Sequence, residues 1–167
     1  YPPEPVSIPV ENFSFELPGG DKQTSWETVP GWSSDTVATD SGCEAEGNWK
    51  QTDGNVNGYI RAGDSSAYNL LTYVIEEGDV LTLMIDAFDE WQATQFKISL
   101  YYDDAGTRVP LVSGVFDVTG DYQEFSVTVD IADVPEAVGH QLGVEVENVT
   151  PIDDSWVGMD NVRVTKI

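Results

Sequence analysis

Two short stretches of the chain decide its fold, NFSFELP at residues 12–18 and GMDNVRV at residues 158–164. Each stretch places an acidic residue, Glu16 or Asp160, inside a strand pattern of alternating apolar residues. A buried carboxylate without a partner is costly, and a calcium ion bound by carboxylate and backbone oxygens would supply that partner. Because the first and last strands of antiparallel sandwiches often pair, we expect Glu16 and Asp160 to lie close together.

The composition predicts one folded domain with an acidic surface. The 167 residues suit a single domain, and we assign residues 1–5, YPPEP, to a linker remnant and residues 6–167 to the domain. A hydrophobic fraction of 40% with 5 Trp, 7 Tyr and 6 Phe can build a core, which argues against disorder. The net charge of −23 repels phosphate backbones and anionic lipids, so we expect no nucleic-acid or membrane partner.

The pattern along the chain is that of short strands separated by turns. Gly, Pro, Asp and Asn recur at short intervals and interrupt every helical pattern, whereas runs with period-2 alternation lie between them. About ten such runs, with turns every 8–12 residues, predict an all-β antiparallel sandwich of the jelly-roll type. The predicted strands are residues 6–10, 13–16, 58–61, 68–75, 80–88, 96–102, 108–116, 123–131, 141–149 and 156–167.

Aromatic residues in polar surroundings are the candidates for ligand binding. Trp26 and Trp32 are expected in the core, whereas other aromatics have charged and amide neighbours that suit a surface for stacking on sugar rings. Polar side chains on the same strands would bind the sugar hydroxyl groups. The predicted ligand-binding residues are Trp49, Trp91, Tyr101, Trp156, Asp86, Lys97 and Glu145. Strand alternation suggests one concave face that holds Met84, Asp86, Lys97, Ser99, Tyr101, Glu145 and Glu147.

Motifs for enzymatic chemistry are absent from the sequence. His140 is the only histidine, and no nucleophile-elbow sequence accompanies it. Cys43 is the only cysteine, which excludes an intrachain disulfide and leaves no zinc-ligand spacing. Paired carboxylates are abundant, but among 30 acidic residues such pairs are expected by chance. We therefore predict that the protein is not an enzyme.

Four motifs carry a family resemblance that covers nearly the whole domain. The opening stretch, PGW at residues 30–32, EEGDVLTL at residues 76–83 and MDNVRV at residues 159–164 resemble the calcium-containing, galactose-binding-domain-like β-jelly rolls that serve as carbohydrate-binding modules. The resemblance implies a structural calcium ion held by Glu16 and Asp160, with Asp21 as a further candidate ligand. It also implies a monomeric, non-catalytic module that is tethered to a secreted polysaccharide-degrading enzyme and binds a polysaccharide. The marked acidity of the chain favours a neutral glycan and suits a protein secreted into salty water, as by a marine bacterium.

Two alternatives use the same scaffold. Cyanobacterial indole-alkaloid cyclases are similar in the opening residues 6–10 and in the closing residues 160–163, and the likeness would give Asp160 and Tyr101 roles in guiding a cyclisation. A calcium-stabilised adhesion or scaffold domain without a glycan ligand is the third possibility. Fold analogy does not choose among them.

Overall fold

The computed structural model describes residues 1–45 and 51–167, which form eleven β-strands and three short 3₁₀ turns. The 3₁₀ turns are Trp26–Thr28, Ile131–Asp133 and Pro135–Ala137. The strands are β1 (Val6–Ile8), β2 (Ser33–Ser34), β3 (Gly42–Glu44), β4 (Asn57–Arg61), β5 (Ala67–Val74), β6 (Val80–Trp91), β7 (Gln95–Asp104), β8 (Thr107–Asp117), β9 (Gln123–Asp130), β10 (Gln141–Asn148) and β11 (Trp156–Lys166).

The strands form two sheets that pack face to face. In sheet I the order is β3-β4-β11-β6-β9, with β1 paired to the C-terminal part of β11. In sheet II the order is β2-β5-β10-β7-β8. All pairings between these strands are antiparallel. The all-β jelly-roll sandwich predicted from the sequence is confirmed, including the pairing of the first and last strands.

Alternation along the central strands places the core between the two sheets. In β6 the side chains of Leu81, Leu83 and Ile85 are fully buried, whereas Thr82 and Met84 between them are partly exposed on the outer face. The same alternation buries the inward side of β7 and β10. Each sheet therefore has an outer face whose side chains point away from the core. No helix in the described part of the chain has the length and apolar character needed to cross a membrane.

Residues 13–16 do not form the predicted strand, and this prediction is corrected to a turn. Asn12 and Phe15 have positive φ angles of 51° and 62°, outside the extended region that a strand requires. The Asn12 side chain holds the turn closed, because its amide donates to the carbonyl oxygens of Leu17 and Pro30 and its oxygen accepts from the Leu17 N–H. The hydrogen bonds of the Asn12 side chain therefore override the alternating pattern.

The turn places the Phe15 ring at one end of the core. Phe15 is fully buried, and its ring centroid lies 5.0 Å from that of Trp32 and 6.4 Å from that of Trp26. Trp26 and Trp32 are 1% and 3% exposed, which confirms their predicted core positions. The backbone beside Phe15 also joins β11, because the Val162 N–H donates to the Phe13 carbonyl oxygen at 2.9 Å. Residues 1–5 are exposed and lie outside the strands, and their role as a linker stays a prediction.

Candidate functional site

A pocket of about 330 Å³ opens at one end of the outer face of sheet I. Its volume falls in the range of roughly 300–1,000 Å³ that is typical of small-molecule sites. The end of β3, the middle of β4, the end of β6 and the start of β11 meet here with two loops. We call it the tryptophan pocket, and its lining residues are Lys22, Asp40, Glu44, Tyr59, Glu90, Trp91 and Trp156.

Two indole rings form its walls. Trp91 is the last residue of β6, and the next residue, Gln92, has a positive φ of 53° and bridges to Trp156 at the start of β11. Trp91 is 58% exposed, whereas Trp156 is partly buried and its Nε1–H donates to the Asp40 carbonyl oxygen at 3.0 Å. One ring is thus fixed by the fold, and the other presents much of its surface to solvent.

An ionic network surrounds the third aromatic ring, that of Tyr59. Its hydroxyl oxygen lies 3.0 Å from Asp40 Oδ1, and its ring centroid lies 4.9 Å from Lys22 Nζ. The same ammonium group is 3.6 Å from Asp40 and 3.3 Å from Glu44, whose side chain is buried. Burial opposes the charge of Lys22, but these two carboxylates outweigh burial and raise its pKa. The pocket therefore already contains one ammonium group in contact with carboxylates and a ring face.

Glu90 is the carboxyl group of the pocket without an ion pair among the described residues. It lies partly buried near the end of β6, and within the described ranges it receives one hydrogen bond, from Asn57 Nδ2 at 3.4 Å. Burial, with the negative charge of Glu44 added, raises the pKa of Glu90 to about 8. Near neutral pH this carboxyl group carries a proton, so it can donate as well as accept a hydrogen bond.

The two carboxylates predicted to bind calcium face one loop, residues 52–56. Glu16 and Asp160 approach this loop from the turn after residue 15 and from β11, and backbone N–H groups donate to both. The N–H donors are Asn55 at 2.6 Å and Val56 at 2.8 Å to Glu16, and Thr52 at 2.8 Å, Asp53 at 3.0 Å and Asn161 at 2.8 Å to Asp160. The structure thus brings Glu16 and Asp160 to one locality.

The carboxylate oxygens near this loop could supply some, but not all, of the ligands that a calcium ion requires. Among the described residues, each Glu16 oxygen and Asp160 Oδ1 accepts a single hydrogen bond, which leaves lone pairs for a cation. Asp160 is fully buried, and burial raises its pKa to about 7, which a nearby cation would offset. Asp21 is exposed, and the described residues contain no group of three or more acidic, histidine or cysteine side chains arranged to hold a metal. Backbone carbonyls would have to complete the coordination.

The remaining predicted ligand-binding residues do not share one face, and the single concave face predicted from the sequence is corrected. Asp86 lies on the outer face of sheet I, where it accepts from Arg163 at 2.7 Å and from Thr52 Oγ1 at 2.7 Å. Lys97, Tyr101 and Glu145 lie on the outer face of sheet II, on the opposite side of the sandwich. Alternation correctly predicts which residues of each strand face outward, but it does not tell which strands share a sheet.

Side chains on the outer face of sheet II pack against one another and leave little room for a ligand. Tyr101 is 2% exposed, and its ring occupies the space above Gly143 on the neighbouring strand. Arg108 lies over the Tyr68 ring, with its guanidinium carbon 3.9 Å from the ring centroid, and it bonds to Glu145 at 3.1 Å. Because its ring faces are covered, Tyr101 offers no stacking surface, and the tryptophan pocket is the stronger candidate site.

The sequence predicted the two tryptophans that form the pocket walls, but it did not predict the polar groups of the pocket. Trp91 and Trp156 were predicted and lie together, whereas Trp49 lies outside the described residues. Tyr59 and Glu90 were not predicted, although Glu90 directly precedes Trp91 and shares the outer face with Asp86. The one sequence signal for Glu90 was an acidic residue at an outward position next to a candidate tryptophan.

Comparisons with known proteins establish the fold. No protein-family model and no curated protein sequence matches the chain. The solved structure of the Stig cyclase Fisc from Fischerella sp. TAU, in complex with (3Z)-3-(1-methyl-2-pyrrolidinylidene)-3H-indole, is similar with a TM-score of 0.73 and 20% identity, covering 98% of each chain.

Carbohydrate-binding modules share the same architecture. A CBM4 structure matches with a TM-score of 0.63 and 13% identity, over 95% of this chain and 100% of the other. The CBM22-1 and GH10 modules of the Clostridium thermocellum xylanase Xyn10B, complexed with xylohexaose, match with a TM-score of 0.59 and 16% identity, over 98% of this chain and 28% of the other. The jelly-roll scaffold is thus common to binding modules and to cyclases.

Proposed function

We propose that this protein is a carbohydrate-binding module that holds a sugar residue in the tryptophan pocket. The observation that carries the proposal is the 58% exposed indole of Trp91 beside the fixed indole of Trp156. A large apolar ring face left in water at the rim of a polar pocket is typical of a binding surface. Non-catalytic modules in the CBM4 and CBM22 structures share the fold, and their likeness supports this proposal.

The chemistry of the pocket suits a sugar ring. The apolar C–H face of the ring would stack on Trp91, while Glu90, Asp40 and the Tyr59 hydroxyl group bind sugar hydroxyl groups at the edge. A partly protonated Glu90 can serve a hydroxyl group as donor or as acceptor. The net charge of −23 repels polysaccharides with acidic groups, so the glycan is a non-acidic one.

The module acts by tethering in this proposal. It is secreted as a monomer attached to a polysaccharide-degrading catalytic domain and raises the local concentration of that domain at the glycan. The CBM22-1 and GH10 modules of the xylanase, which lie in one chain, are a precedent for this arrangement in another protein. The protein itself carries out no chemistry in this role.

The proposal includes a structural calcium ion at Glu16 and Asp160. The ion would join the turn after Phe15 to β11 and the loop of residues 52–56, and would offset the burial of Asp160. We expect millimolar calcium to raise the melting temperature of the protein relative to chelator, by mass action on the folded state. Asp160→Asn should abolish this difference; an equal calcium response in that variant would contradict the site.

Affinity electrophoresis tests the binding function. The protein is run through gels that contain neutral polysaccharides such as β-glucan, xylan, mannan or agarose, and through gels with acidic ones. We expect retardation by a non-acidic glycan, which Trp91→Ala abolishes. Tyr68→Ala on the opposite sheet is the matched control and should retain binding, because its ring lies under Arg108 and outside the tryptophan pocket. Retardation by no glycan would contradict the module and leave the cyclase and the scaffold domain as the alternatives.

A second candidate function, that of a small-molecule cyclase, is favoured by Glu90. A carboxyl group with a pKa of about 8 among aromatic rings is a proton donor of the kind used in general acid catalysis. The Fisc structure, whose ligand is an indole derivative, shares the fold over the whole chain. Calorimetric titration with that same indole derivative tests this function. Tight binding lost in Glu90→Gln, together with no glycan binding, would replace the module by the cyclase.

A further inference from the structure

We propose that the tryptophan pocket selects a protonated amine, so that the preferred glycan carries unsubstituted amino sugars. This inference rests on the proposed carbohydrate-binding function and names the class of sugar. It refines the expectation of a neutral glycan, because the same acidic surface that repels acidic polysaccharides attracts cationic ones.

Glu90 is the group in the pocket that suits an ammonium ligand. Its carboxyl group lines the pocket, has no ion pair among the described residues, and receives one long hydrogen bond of 3.4 Å from Asn57. A sugar ammonium group at this position would donate charge-assisted hydrogen bonds, which are stronger than those of a neutral hydroxyl group. The ammonium group would also favour the ionised carboxylate and so lower the pKa of about 8 that burial and Glu44 impose.

The aromatic walls of the pocket already hold cations. Lys22 Nζ lies 4.9 Å from the centroid of the Tyr59 ring, and the Arg61 guanidinium carbon lies 5.7 Å from the centroid of the Trp156 ring. Cations over ring faces are attracted by the ring quadrupole. Trp91 has no such partner among the described contacts and is 58% exposed, so its face is available to a ligand that carries charge at its edge.

The electrostatic field of the whole protein also favours a cationic glycan. With 7 basic and 30 acidic residues, the surface attracts a polycationic chain over several ångströms and accelerates its association. A polymer with one ammonium group per sugar would gain from this field and from the pocket together. A neutral polymer would gain only from stacking on Trp91 and from the hydrogen bonds of its hydroxyl groups in the pocket.

Calorimetric titration with three matched tetrasaccharides tests the inference. The β-1,4-linked tetramers of glucose, N-acetylglucosamine and glucosamine differ at carbon 2, which carries a hydroxyl, an acetamide or an ammonium group. At low salt and about pH 6.5, where glucosamine is largely protonated, we expect the glucosamine tetramer to bind roughly tenfold or more tightly than the glucose tetramer. Glu90→Gln should reduce that ratio to about twofold, because it keeps the shape and removes the ionisable group.

One control distinguishes the pocket from the general electrostatic field of the protein, and a second establishes that the variants are folded. Glu147→Gln removes one carboxylate from the outer face of sheet II and should leave the ratio unchanged. Urea unfolding of each variant establishes that it is folded. The inference is overturned if the glucose tetramer binds as tightly as the glucosamine tetramer, or if Glu90→Gln keeps the full ratio. If no tetramer and no polysaccharide binds, the proposed carbohydrate-binding function itself fails.

Discussion

Glu90 shows how a single side chain acquires unusual chemistry from its surroundings. It sits two positions after Phe88 on the outward side of β6, where alternation alone would make it an ordinary surface acid. Glu44, Asp40, Tyr59 and Lys22 reach it from other elements. The sequence could not predict this carboxyl group, because residues between positions 22 and 59 create its environment only after folding.

The raised pKa of Glu90 predicts a specific pH dependence of stability. The folded protein holds the Glu90 proton more tightly than the unfolded chain, whose pKa is near 4.5, so the contribution of Glu90 to stability falls as pH rises toward about 8. Glu90→Gln removes this loss. We expect the variant to match the wild type near pH 4.5 and to be more stable at pH 9 by roughly 1–3 kcal/mol.

Urea unfolding at the two pH values measures this difference. Comparing the variant with the wild type at each pH cancels the titration of the other carboxyl groups, which both proteins share. A stability difference that stays constant between pH 4.5 and pH 9 would contradict the assigned environment of Glu90.

The loop of residues 52–56 forms hydrogen bonds with segments near both ends of the chain. Its backbone N–H groups donate to Glu16 from the opening turn and to Asp160 from β11. The sequence correctly drew attention to these two acids, and terminal pairing followed from the fold class. It predicted a strand at residues 13–16, because the alternating pattern there gave no sign of the positive φ at Asn12 and Phe15.

A Gly54→Ala substitution tests the contact between this loop and the opening turn. Gly54 has a φ of +70°, and a Cβ atom at this position would collide with the Glu16 carboxylate. Gly78 is the matched control, because it has a φ of +86° and open space around it. Both Ala variants lose about 1 kcal/mol to backbone strain, and we expect Gly54→Ala to lose roughly 1–3 kcal/mol more.

The measurement is the free energy of unfolding of both variants and the wild type in urea. Equal losses at the two glycines would contradict the proximity of Glu16 to the loop. A larger loss at Gly54, reduced when Glu16→Ala is added, would attribute the excess to that carboxylate.

At the scale of the whole molecule, the net charge of −23 opposes the compact state through self-repulsion. Salt screens this repulsion, so raising sodium chloride from about 0.01 M to about 0.5 M should increase the melting temperature by several degrees. The increase should shrink near pH 4, where many carboxyl groups are protonated. Thermal unfolding followed by circular dichroism measures the effect; a salt response independent of pH would contradict this origin.

The sequence predicted the architecture better than the site. The alternating pattern correctly predicted that Leu83 and Ile85 are buried. The number and spacing of the alternating segments predicted the jelly-roll class. Alternation carries no information on sheet membership, so Asp86 and Tyr101 were assigned to one face although the sandwich separates them. A site assembled from four strands depends on strand order, which only the folded structure provides.

The proposed function requires that the tryptophan pocket binds a carbohydrate through Trp91. The most direct measurement is a fluorescence and calorimetric titration of the wild type, Trp91→Ala and the Tyr68→Ala control with the glycan that retards the protein most strongly. We predict saturable binding at one site per chain in the wild type and the control, and a loss of about tenfold or more in Trp91→Ala. Unchanged affinity in Trp91→Ala would contradict the account, because the glycan would then bind elsewhere on the molecule.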